Sequence, residues 1–122
     1  MIDPEAAWGL LAEAMAQPRA LVTVEQLRER LEARAMCSNV WLGERSAIYT
    51  QVQRYNDEIV FEAGPAGGEL TEILAQVPRL TDVARDLGCT QAHIIAGRSG
   101  WARPLKSHGY EVYDMTLRKI LR

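Results

Sequence analysis

Residues 97–110, Gly-Arg-Ser-Gly-Trp-Ala-Arg-Pro-Leu-Lys-Ser-His-Gly-Tyr, constrain the fold more than any other stretch of the chain. An apolar segment (His93, Ile94, Ile95, Ala96) runs into them, and an alternating one (Tyr113, Met115, Leu117) runs out. The pattern predicts strand, short helix, strand. Ser99 is placed to cap the helix, Trp101 and Leu105 share its buried face, and Gly109 ends it. Pro104 limits its regularity. A last strand is expected over about residues 111–121.

Ahead of this unit the hydrophobic period changes twice. Asp3 and Pro4 open a helix that carries Ala7, Trp8, Leu11, Ala12 and Met15 at helical spacing, and Pro18 ends it. Thr23 and Gln26 form a capping-box pattern for a second helix with Leu27 and Leu31 inward. Arg28, Glu29 and Glu32 make its solvated face. From Val40 the period is two. Residues 40–42 are a short strand, residues 43–46 a turn, and residues 47–55 alternate, with Ile48, Thr50 and Val52 on one face. Asn56-Asp57 is a second tight turn, and residues 59–61 are a third, central strand. Together they predict an antiparallel meander. A glycine-rich loop, residues 64–68, leads into a long helix in which Pro78 predicts a break near residues 76–77. Gly88 closes the helix, and a strand over residues 91–96 follows. A strand, a helix and a strand in that order predict a right-handed crossover between parallel neighbours. The fold class is therefore α+β, a mixed, mostly antiparallel sheet flanked by helices, and residues 1–122 make a single domain.

With 48% hydrophobic and 25% charged residues, the chain has the composition of a globular protein with one core. A net charge of −2 argues against a broad grip on nucleic acid or an anionic membrane. No apolar run approaches the ~18 residues of a membrane span. Asp3 and Glu5 near the N-terminus do not fit a signal peptide. Cys37 and Cys89 lack a CxxC spacing and read as reduced thiols, which implies a cytoplasmic location. Two histidines without ligand spacing give no metal site.

The order helix, helix, three strands, glycine loop, helix, strand, short helix, strand resembles the GNAT superfamily of acetyl-CoA-dependent N-acetyltransferases. Residues 59–68 and 97–110 carry the resemblance, and His108-Gly109-Tyr110 is similar to the glycine–aromatic pair that closes the family's last helix. The resemblance implies acetyl-CoA as cofactor. Its pyrophosphate would lie on the backbone of Gly64, Ala66, Gly67 and Gly68 at the start of the following helix, and its pantetheine arm would pair with the strand at Phe61, Glu62 and Ala63. Free helix N-terminal amides and glycines suit a phosphate on physical grounds as well. The pattern departs from the family at the cofactor loop and in the last helix. The loop lacks the usual Arg or Gln, Pro65 removes one donor, and Glu69 sets a carboxylate beside the expected phosphate. Leu105 stands where family enzymes often carry a tyrosine acid.

Glu62 is the candidate general base, provided that it faces a cleft. Read on its own, it is a strand carboxylate facing solvent. His93 reads as a half-buried histidine. Arg98 and Arg103 can meet a phosphate or an acidic partner. Two functions remain open. One is a GNAT-like N-acetyltransferase with a degenerate cofactor loop. The other is a non-catalytic interaction or virion-associated protein on the same scaffold, since residues 97–105 also resemble small proteins encoded in phage and prophage genomes. Protein partners or a homo-oligomer, paired through the last strand, fit either.

Overall fold

The computed structural model of the chain describes residues 2–15, 22–95, 101–113, 119 and 121. Helix α1 spans Pro4–Met15, and the Glu5 N–H donates to Asp3 Oδ1 at 3.1 Å, so Asp3 caps it as expected. Helix α2, Val24–Glu32, opens on the capping box. Gln26 N–H donates to Thr23 Oγ1 (3.2 Å), and Thr23 N–H donates to Gln26 Oε1 (2.7 Å). Arg28 joins the two helices, with its guanidinium 2.8 Å from Glu5 and 5.2 Å over the Trp8 ring. Pro18 lies outside the described residues.

Strands β1 (Asn39–Leu42), β2 (Ser46–Tyr55), β3 (Glu58–Gly68) and β4 (Gln91–Ile94) form one sheet in the order β1-β2-β3-β4. The first two pairings are antiparallel, and β4 runs parallel to β3. The meander and the crossover are both present. Asn56, at φ +52°, turns β2 into β3 with Tyr55 opposite Glu58. That register places Gln51 opposite Glu62, and Glu62 beside His93 of β4.

The glycine stretch is not a loop. β3 continues through it, and Ala66, Gly67 and Gly68 pair with Ile48, Ala47 and Ser46. The reason is steric. A Cβ on Gly67 would overlap the Leu10 carbonyl of α1, and one on Gly68 would overlap the Arg45 carbonyl. These glycines let α1 and the β1–β2 turn lie directly on the strand. The ladder is interrupted between Ile48↔Ala66 and Thr50↔Ala63, where Tyr49 alone faces Gly64 and Pro65. Such a bulge is where a strand tolerates proline.

The long helix breaks where Pro78 requires, giving α3 (Leu70–Ala75) and α4 (Val77–Asp86) about Gln76. Gly88, at φ +78°, ends α4 with the paired bonds Gly88 N–H to Arg85 O and Cys89 N–H to Ala84 O, both 3.0 Å. Helix α5 covers Ala102–Lys106, with Trp101 and Leu105 buried as expected. Ser99 and Arg98 lie outside the described residues. The last strand does not begin at residue 111. Glu111, Val112 and Tyr113 join no ladder and are exposed. Alternation alone makes no strand without a partner for its backbone. The rest of that expected strand, apart from residues 119 and 121, lies outside the described residues.

Two apolar clusters sandwich the sheet. Ala7, Leu11 and Leu27 pack with Ala47 and Tyr49 on one face. Ile73, Val77, Leu80, Ala84, Trp101 and Leu105 pack with Ile48, Phe61 and Ala63 on the other.

Candidate active site

Glu62 projects from β3 on the face that α1 and α2 cover at one end only. Its carboxylate accepts two hydrogen bonds, from Gln51 Nε2 to Oε1 (3.1 Å) and from the Tyr55 hydroxyl to Oε2 (3.0 Å). Gln51 is itself oriented. Its Oε1 accepts from Arg30 Nη1 of α2 and from the Tyr49 hydroxyl, both at 3.1 Å. With the amide oxygen so occupied, its Nε2 is turned to Glu62. Burial pushes the Tyr55 phenol pKa above its usual value, and the Glu62 carboxylate pushes it further, so Tyr55 stays a donor. Burial also raises Tyr49, against the lowering effect of Arg30. His93 completes the row. Its Nε2 is 2.8 Å from Gln91 Oε1, and its ring meets that of Tyr113 at 5.1 Å.

Glu62 lies two residues before the place where β3 parts from β4. The parallel pairing ends at Ala63↔Ile94 and the Ile95 N–H to Ala63 O bond (2.9 Å). Past the bulge β3 pairs with β2. Beside this parting lies a narrow apolar wedge within the main core, between the sheet (Ile48, Ala63, Ala66, Ile94), the helices α3 and α4 (Ile73, Val77, Leu80) and Trp101. Its free space is about 10 Å³, the lower limit for one water.

At the start of α3, two carboxylates are held by the β1–β2 turn. Glu72 accepts from the Arg45 N–H (3.1 and 3.2 Å to its two oxygens) and from the Ser46 hydroxyl, and it fills the space that a Cβ on Gly43 would need. Glu69 pairs with the Arg45 guanidinium at 3.4 Å. The Ser46 hydroxyl, followed by the Arg45 N–H, lowers the Glu72 pKa. A carboxyl with a lowered folded-state pKa contributes its stability above the unfolded-state value of about 4.3 and loses it as pH falls through the folded value. Denaturation midpoints measured from pH 7 to pH 3 are therefore expected to show Glu72→Gln less stable than the native chain at neutral pH. The gap closes as the pH falls below about 4.

The sequence-derived site residues separate into two groups. Glu62 is half-buried among polar partners and lines neither of the two cavities, so the cleft that its role as base supposes is not at its carboxylate. Ala63 and Ala66 line the wedge, and Gly64, at φ +146°, lies against Ile95. Phe61 is paired on both sides and its ring is buried in the core, so its backbone has no free edge for a pantetheine arm. Gly67 and Gly68 face α1 and the Arg45 carbonyl, not a cleft. Sequence reasoning missed Gln51, Tyr55, Tyr49 and Arg30. The signal for the first two was the tight turn at Asn56-Asp57, because a two-residue turn dictates which residues of β2 stand opposite Glu62. Among the described residues no cluster of ligating side chains could hold a metal, and no helix is long and apolar enough to cross a membrane.

No family model matches the sequence, and no curated protein matches it. Solved structures do match. An acetyltransferase of Trypanosoma brucei superposes with a TM-score of 0.63 at 11% identity, over 99% of this chain and 97% of that one. Glucosamine-6-phosphate N-acetyltransferase from Arabidopsis thaliana gives 0.63 at 12% identity, over 94% of this chain and 88% of that one. The chain has the GNAT acetyltransferase fold. At these identities the likeness is one of fold, and activity rests on the chain's own residues.

The fit of an acyl-CoA to this GNAT scaffold is incomplete. The apolar wedge beside Ala63 and Ala66, at about 10 Å³, is too small for a pantetheine arm as it stands, and its lining has no polar side chain to meet the arm's amides. The glycine run does not form the phosphate cradle that the resemblance implied, because its missing Cβ atoms make room for Leu10 and Arg45. The Arg45 guanidinium, brought to the start of α3 by the β1–β2 turn, is paired there with Glu69.

Proposed function

We propose that the chain is an N-acyltransferase that draws on acyl-CoA and uses Glu62 as general base toward an amine acceptor. The observation that carries this reading is the Glu62 carboxylate, held by Gln51 and Tyr55 two residues before β3 and β4 part. An acyl-CoA would supply an activated thioester. Everything else falls to the side chains. Gln51 and Tyr55 hold the carboxylate, leaving its remaining lone pairs for the acceptor's N–H proton. Tyr55 and Tyr113 offer aromatic surface around an incoming ammonium group. Loss of a proton to Glu62 frees the nitrogen lone pair for attack. Helix α5 offers no proton donor at the buried Leu105.

The narrow wedge and the filled glycine cradle favour a second reading, a non-catalytic interaction protein on the same scaffold. Thiol release from acetyl-CoA, followed over a panel of small primary amines, separates the two. The acyltransferase reading expects release above the buffer rate with at least one amine. A folded protein that releases thiol with none of them overturns it.

A further inference from the structure

A groove of about 380 Å³ lies along the outer side of β1, far larger than the wedge and unused by the reading above. It is lined by β1 residues Asn39 to Leu42, by Gly43, Ser46 and Ile48, and by Gln76 and Arg79 at the start of α4. That volume lies in the range of ligand sites.

Three features of the groove belong together. The first is a sheet edge that no other strand covers among the described residues, closed at one end where the Ile2 N–H donates to the Gly43 carbonyl at 2.9 Å. Gly43 N–H donates to Ser46 O at 2.9 Å across the turn, which makes 43 and 46 a hydrogen-bonded pair. Alternation then turns the backbone groups of Trp41 and Asn39 toward β2 and those of Val40 and Leu42 outward. Asn39 Oδ1 accepts the Val40 N–H at 2.9 Å. The Val40 carbonyl and both backbone groups of Leu42 have no partner among the described residues. The second feature is a fixed aromatic wall. Trp41 Nε1 donates to Thr50 Oγ1 at 2.8 Å, which locks the indole. The third is a cation without an acid. The Arg79 guanidinium lies 5.2 Å from the Trp41 ring centroid, and its neighbouring acid, Asp82, is paired with Arg85 at 3.0 Å. Among the described residues Arg79 forms no ion pair.

We propose that β1 and this groove bind an extended acidic peptide by strand addition. The peptide backbone pairs with the outward groups of Leu42 and Val40, over an edge of about 13 Å. An Asp or Glu side chain, on the face the peptide shares with Trp41, takes the Arg79 guanidinium. A free sheet edge is a template for another strand, and the unmatched cation sets the sign of the partner's charge. The site is separate from Glu62, and the inference does not depend on acyl transfer.

The test is selection from a displayed library of random octapeptides on the native chain, and in parallel on Arg79→Glu and Leu42→Pro. The expected result is enrichment of β-forming peptides with one acidic position. The preference turns basic on Arg79→Glu, an exposed site where the fold is not at risk. Enrichment falls at least 10-fold on Leu42→Pro, which lacks the outward N–H. Amide shifts confined to Val40, Leu42, Gln76 and Arg79 on adding a selected peptide place it in the groove. Failure to enrich any peptide overturns the proposal. So does a set whose charge preference is unchanged by Arg79→Glu. Dimerisation of the native chain through β1 without peptide binding overturns it in favour of a second copy as the occupant.

Discussion

Replacing Glu62 with Gln is expected to lower the proposed acyl transfer about 100-fold or more, the usual range for losing a general base. The substitution keeps the shape of the side chain and one acceptor oxygen. The Gln51 and Tyr55 bonds to Oε1 and Oε2 (3.1 and 3.0 Å) can therefore survive in part. What disappears is the capacity to take a proton. The loss is expected in kcat, while affinity for acetyl-CoA stays within a few-fold, because Glu62 acts on the amine's proton and lines no part of the wedge. Steady-state kinetics with the best amine from the panel, beside a cofactor titration, make the comparison. Unchanged kcat in a folded Glu62→Gln protein would remove Glu62 from the chemistry.

Gly67→Ala is expected to destabilise the fold by about 3 kcal/mol, the upper part of the range for overpacking. The new methyl meets the Leu10 carbonyl, a backbone group that cannot rotate away. Relief requires lifting α1 off β3, which uncovers Leu11 and Ala7, both fully buried. At this chain length that corresponds to a fall in Tm of about 10 °C or more. Gly9→Ala provides the contrast. Nothing lies within 4 Å of a Cβ at Gly9, and the position is inside α1. There alanine stabilises by about 0.5–1 kcal/mol, through helix propensity and a less flexible unfolded chain. Thermal melts of the two variants are predicted to move in opposite directions. Equal losses would mean that α1 is not seated on Gly67.

Much of this architecture is legible in short-range chemistry. The capping box at Thr23 and Gln26, the break at Pro78, the closing turn at Gly88 and the pairing of Trp101 with Leu105 are all local signals. The structure has each where the residues place it. The glycine stretch was not legible, because glycine marks two opposite needs. It permits a loop, and it also permits two pieces of backbone to touch. Which need applies at Gly67 depends on α1, more than fifty residues earlier in the chain. A separation of 27 and 26 residues hides the clamp of Arg45 and Ser46 on Glu72. Glu69 read as a charge against a phosphate until the turn brought Arg45 beside it. The site was half legible. Glu62 stood out as a carboxylate on an apolar strand, whereas Gln51 and Tyr55 needed the register of the Asn56-Asp57 turn. Arg30 needed the packing of α2 over β2.

Acyl transfer by this chain requires that the apolar wedge beside Ala63 and Ala66 admit an acyl-CoA, with Trp101 displaced. Calorimetric titration of the folded chain with acetyl-CoA, with backbone amide shifts followed in parallel, tests it most directly. The prediction is saturable binding below millimolar concentration, with shifts at Ala63, Ala66, Ile73 and the Trp101 indole. Absence of heat at millimolar acetyl-CoA, with those four signals unmoved, would contradict it and leave the chain a GNAT scaffold without the GNAT cofactor.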